Sequence, residues 1–167
     1  MALRDAILTE YDHEIATTRR LLERMPDQAL AWKPHSRSMS MGGLATHLSN
    51  LLTWADAILN SVRFDLADTP PNRQALTSRA EILEAFDRST HDARTWLAKT
   101  DGELEAPWTL ARNGRVIFVV PRIAAFRTFV LNHLIHHRGQ LSVYLRLNDV
   151  PVPPIYGATA DEGQGAL

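Results

Sequence analysis

The sequence predicts an all-α fold, a four-helix bundle with one short β-hairpin between its third and fourth helices. Three observations carry this expectation. Four segments repeat apolar residues at steps of three and four, the period of an amphipathic helix. A single Asn113-Gly114 dipeptide stands between two β-prone runs. The 167 residues, 45% of them hydrophobic, suffice for one buried core, so residues 1–167 are expected to form a single domain.

The first helix is expected over about residues 2–25, where Leu3, Ile7, Tyr11, Ile15, Thr18, Leu22 and Met25 line one face. Pro26 and Asp27 stop it. A polar connection containing Pro34 leads to Ser40, whose hydroxyl suits an N-cap. The second helix follows over about 41–60, with Leu44, Leu48, Leu51, Ala55 and Ile58 as its stripe. Pro70, Pro71 and Asn72 mark a surface loop.

Ser78 and Glu81 form an S-x-x-E capping pattern at the start of the third helix. Ile82, Phe86, Thr90, Ala93 and Leu97 carry that helix to about Lys99. Trp108–Leu110 and Val116–Val120 then flank Asn113-Gly114, the signature of a two-residue hairpin. A small ribbon is expected at one end of the bundle, and not a sheet. Pro121 suits the first turn of the last helix, expected over 122–148, with Ile123, Phe126, Val130, His133, His137, Leu141 and Tyr144 along one face. The tail holds three prolines and is expected to fray from about residue 158.

A net charge of −1 with no basic stripe argues against nucleic-acid binding. Arg19, Arg20, Arg122, Arg127, Arg138 and Arg146 read as solvated helix faces. The absence of cysteine excludes disulfides, thiolate ligands and a cysteine nucleophile. No apolar run has the length of a membrane span or signal peptide, which makes the cytoplasm the expected location.

The histidines point to chemistry. His133 and His137 are four residues apart, about 40° around the axis and roughly 6 Å along it, so both rings leave the apolar face of the last helix. Buried imidazoles need partners, since an unpaired buried polar group costs about 1–3 kcal/mol. They either hydrogen-bond within the core or share a metal. His47 lies about 60° from Leu44, at the edge of the second helix's stripe, and makes a third candidate. Three imidazoles with positions left open describe a catalytic rather than a closed structural metal site. His136 points away and reads as a rim residue, while His13, His35 and His91 have no supporting arrangement. Gln140 and Asn50, one turn beyond His137 and His47, are candidates to orient a ligand or simply polar rim. Trp32, Trp54, Trp96 and Trp108 read as core or end-cap aromatics, any of which could line a pocket.

The segment NHLIHHRGQLSVYLRLNDVPVPPIYGATADE, residues 132–162, resembles the C-terminal signature of the DinB-like (DinB/YfiT) superfamily. Trp32, Pro34, Ser40, His47 and Leu48 resemble its second-helix signature. The resemblance spans nearly the whole chain. It implies an up-down-down-up four-helix bundle in which His47, His133 and His137 hold a metal, commonly nickel or zinc. It implies homodimers and a small-molecule substrate. It also implies either a metal-dependent enzyme, a thiol-cofactor transferase or a hydrolase, or a non-catalytic metal- or small-ligand-binding stress-response protein. A low-molecular-weight thiol is the cofactor implied for the transferase. No Asp or Glu adjoins a proposed ligand, which favours thiol transfer over hydrolysis. Asp161 and Glu162 would approach the site only if the tail folded back.

Overall fold

The structure, a computed structural model, describes residues 2–69 and 74–163, so the expected loop at Pro70, Pro71 and Asn72 and the last four residues lie outside it. It is mostly helical. Helix α1 (Leu3–Glu23) begins where the Asp101 carboxylate accepts the Leu3 and Arg4 N–H groups at 3.0 and 2.9 Å. It ends shortly before Pro26, which has no N–H to continue it. Its buried face carries Ile7, Tyr11, Leu21 and Leu22, with Glu14, Thr17 and Thr18 among them.

The expected second helix is broken in two, α2 (Met41–Leu51) and α3 (Trp54–Leu59). The Thr53 hydroxyl donates to the Asn50 carbonyl at 2.7 Å, a local bond that competes with the helical ladder. All five stripe residues, Leu44, Leu48, Leu51, Ala55 and Ile58, are nevertheless buried. Helix α4 (Arg79–Leu97) buries Ile82, Phe86, Thr90, Ala93 and Leu97, and Ser78 accepts the Glu81 N–H at its start. The Glu81 carboxylate turns back to the Thr77 N–H and hydroxyl, both at 3.0 Å. A short α5 (Asp101–Glu105) follows with a complete capping box between Thr100 and Glu103.

The expected ribbon is a three-stranded sheet. Strand β1 (Arg63–Asp65) pairs in parallel with β2 (Pro107–Arg112), which pairs antiparallel with β3 (Arg115–Pro121). Three residues are too few for a strand period to register in sequence. Asn113 (φ 50°) and Gly114 (φ 78°) make the turn with both residues in the left-handed region. The Asp65 carboxylate clamps it by accepting both turn N–H groups, at 2.8 and 2.7 Å.

The last helical stretch runs as α6 (Arg122–Phe126), a π-helical turn (Arg127–Leu131) and α7 (Asn132–Arg146). Helices α1 and α2 each pack against both α4 and α7, and α3 packs on α4 and α6. The tail through residue 163 is tied down: Asp161 pairs with Arg146 and accepts the Val152 N–H, and Glu162 pairs with Arg24. Among the described residues no helix is long and apolar enough to cross a membrane.

Candidate metal centre

Helix α2 carries His47 and is fixed at its beginning. The Ser40 side chain accepts the Gly43 N–H at 3.0 Å, and Gly42 donates to the Leu30 carbonyl at 2.9 Å. A Cβ on Gly42 would stand 3.2 Å from that oxygen and from the Leu30 Cβ, a tight contact that Leu30 would have to relieve by a few tenths of an ångström. Helix α7, packed against α2, carries His133 and His137 one turn apart.

The structure brings the three predicted histidines together. The His47 ring lies 5.2 Å from the His133 ring and 4.5 Å from the His137 ring, centroid to centroid, and His133 and His137 are 4.7 Å apart. One ring nitrogen from each falls within 4.8 Å of the other two. His137 is buried, while His47 and His133 keep part of their surface in solvent.

Hydrogen bonds determine what the nitrogens offer. Gln140 Oε1 accepts from His137 Nδ1 at 2.7 Å, which leaves a lone pair on His137 Nε2. The His137 and His133 Nε2 atoms are 2.9 Å apart. That distance suits an N–H···N hydrogen bond when one ring carries its proton there, and equally suits two ligands of one ion when neither does. Nitrogens bound at about 2.0–2.1 Å, at right angles on one ion, would themselves stand about 2.9 Å apart. The donor set therefore fits a divalent transition metal.

Electrostatics favour the same state. Burial, then the neighbouring His137 and His133, pushes the His47 imidazole down to about 4. Burial also lowers His133 and His137, against the opposing pull of the Phe129 carbonyl and of Gln140 respectively. Each shift favours the neutral imidazole, the form a metal requires.

The other candidates do not join this group. His136 is exposed, yet its ring stands edge-on to that of His137 at 4.9 Å, and His13 stacks on Tyr156 at 6.4 Å. His35 accepts the Arg37 N–H in the connecting loop, and His91 is exposed on α4. Asn50 lines a surface groove between α2 and α4 with Arg88, Asp92 and Trp96. Asp161 and Glu162 are engaged with Arg146 and Arg24, and among the described residues no carboxylate joins the imidazole group.

Arg138 corrects the expectation of a solvated face. It is 1% exposed and pairs with Glu14 at 2.6 Å, directly after His137 in the chain. Tyr156 joins them, accepting from Arg138 at 2.7 Å and donating to Glu14 at 2.9 Å. The available signal was Glu14 itself, a charge set between Tyr11 and Thr18 on the buried face of α1.

The model of the DinB family matches residues 4–165. YrdA of Bacillus subtilis strain 168, a protein of uncharacterised function, is 25% identical over 161 residues, 95% of this chain and 90% of YrdA. A DinB-like protein of Bacillus subtilis, YjoA, has a solved structure with a TM-score of 0.70 at 21% identity, covering 90% of this chain and 96% of that one. The structure of a DinB-like protein from Bacillus cereus ATCC 10987 matches with a TM-score of 0.69 at 20% identity, over 91% and 97% of the two chains. At these identities the solved structures establish likeness of fold.

Proposed function

The chain belongs to the DinB family, and from that premise we propose that it is a metal-dependent enzyme acting on a small molecule, with His47, His133 and His137 holding one zinc or nickel ion. The observation that carries this reading is the convergence of three imidazole nitrogens within 4.8 Å of one another, two of them 2.9 Å apart. In the same reading α1, α2–α3, α4 and α6–α7 are the up-down-down-up four-helix bundle of the family, and the protein works as a homodimer in the cytoplasm without nucleic-acid partners.

A divalent ion held by three imidazoles supplies Lewis acidity toward an oxygen or sulfur group of the substrate. The chain's own residues prepare for it. Gln140 fixes the tautomer and orientation of His137. Burial favours the unprotonated rings. No carboxylate joins the imidazole group among the described residues, so no general base for hydrolysis stands beside it. This favours transfer of a low-molecular-weight thiol to an electrophile. A panel of thiols with electrophilic acceptors tests the reading: turnover that needs zinc or nickel is expected with at least one pair. Full metal loading without turnover on any pair would contradict it.

That same lack of an acid–base side chain supports a second reading, a non-catalytic stress-response protein whose metal anchors a small ligand. It predicts that His133→Ala lowers the melting temperature and abolishes metal uptake while removing no activity.

A further inference from the structure

The seam between α2–α3 and the last helical stretch has two rungs. The first is the pair His47 and His133, with ring centroids 5.2 Å apart. Seven residues after His47, Trp54 opens α3 and stacks on Phe129 at 5.8 Å and 21°. Phe129 lies four residues before His133. Forward along one element and backward along the other lead to the same end of the seam. At 1.5 Å per residue the aromatic rung stands about 6–10 Å from the imidazole rung.

The sheet completes the second rung. Phe64 of β1 meets Trp54 edge-on at 5.2 Å, and Phe118 of β3 stacks on Phe129 at 5.9 Å and 4°. Trp108, next to Phe129, is a true core residue: fully buried, with its indole N–H donating to the Ala57 carbonyl at 2.9 Å. Trp54, Phe64, Phe118 and Phe129 differ from it, because all four keep surface in solvent. These four half-buried rings touch one another and lie on the same seam as the histidines, an apolar wall of the kind that lines a ligand site. Phe129 is also presented from the π-helical turn, an irregularity that recurs at functional sites.

We propose that Trp54, Phe64, Phe118 and Phe129 form the apolar subsite of the imidazole centre, which takes a small molecule with a flat aromatic or conjugated group joined to an electron-pair-donating polar end. The inference rests on the metal reading above. It assigns the ligand class and names the side chains that select it. The polar end meets the imidazole rung, and the flat group lies against Trp54 and Phe129, where stacking and burial of its faces favour it over an aliphatic group of the same polarity.

Acetohydroxamate and benzohydroxamate test this, since they share a chelating end and differ in a methyl against a phenyl group. Their affinities for the zinc-loaded protein are measured by calorimetry. Benzohydroxamate is expected to bind at least about tenfold more tightly, as burial of a phenyl-sized surface implies. Trp54→Ala and Phe129→Ala should bring the ratio close to one, with zinc content and acetohydroxamate affinity unchanged. Where an alanine variant fails to fold, Phe129→Leu keeps an apolar side chain and removes the flat ring. Equal affinities in the wild type, or a ratio that survives these substitutions, would overturn the proposal. A protein that takes up no zinc sinks the metal reading by itself. The subsite is then tested on metal-free protein with indole by saturation-transfer NMR. Transfer to indole in the wild type that disappears in Phe129→Leu supports the subsite, and no transfer in the wild type overturns it.

Discussion

Glu14 of α1 and Arg138 of α7 meet at 2.6 Å where water scarcely reaches, their side chains 7% and 1% exposed. Arg138 follows His137 in the chain, about 100° further round α7, and reaches Glu14, Thr18 and Tyr156. The pair fixes the rotation of α7, and so the direction in which His133 and His137 leave it. Removing one partner strands a buried charge. Arg138→Met should therefore cost about 3–5 kcal/mol in denaturant unfolding, and Glu14→Leu combined with Arg138→Met should recover most of that loss. Equal stability of the single and double variants would show that the pair is not coupled.

Gln140 makes a more local prediction. Its Oε1 is the acceptor that fixes His137 Nδ1–H. Gln140→Leu should weaken zinc or nickel binding by roughly 10- to 100-fold in chelator competition. Gln140→Glu, which keeps an acceptor, should largely preserve it. Unchanged affinity in Gln140→Leu would remove the residue from the site.

The pH dependence of the chelator-treated protein follows from His47. The unfolded ring takes its proton near the ordinary histidine value, whereas burial and the facing imidazoles hold the folded ring down to about 4. Between the two values the unfolded chain binds the extra proton. Stability should be complete above about pH 6.5 and fall progressively toward pH 4. Thermal midpoints across that range measure it, and His47→Leu should flatten the slope. An equally steep loss in the variant would place the titration elsewhere.

The start of α2 is held by one hydroxyl. Ser40→Ala removes the acceptor of the Gly43 N–H and should cost about 1 kcal/mol. Because His47 rides on this helix, the same variant should also weaken metal uptake. Ser40→Asp, another good cap, should restore both.

Much of this was legible in the sequence. Ile82, Phe86, Thr90, Ala93 and Leu97, read as one face of a helix, are all buried on α4, because apolar burial and helical period coincide there. Asn113-Gly114 made its turn because few dipeptides tolerate two successive positive φ angles. His47, His133 and His137 were readable as a group, since two stand at helical spacing and the third sits on a stripe edge. What escaped depends on single local bonds or on length. The Thr53 hydroxyl splits a helix without altering its apolar period. Thr100-x-x-Glu103 carries the same capping pattern as Ser78-x-x-Glu81, but in the five residues of α5 no period develops. Phe129 sits in a π-helical turn that a 3.6-residue period cannot anticipate. Arg138 reads as surface because buried arginine is rare, and its partner lies 124 residues away.

Whether the three imidazoles form a metal centre is decided by the metal content of untagged protein, measured by mass spectrometry after exposure to zinc and nickel, with His47→Ala, His133→Ala and His136→Ala beside the wild type. About one ion per chain is expected in the wild type and in His136→Ala, and none in the other two. A wild type that holds no metal would contradict the metal centre and leave the three imidazoles as hydrogen-bonding residues of the core.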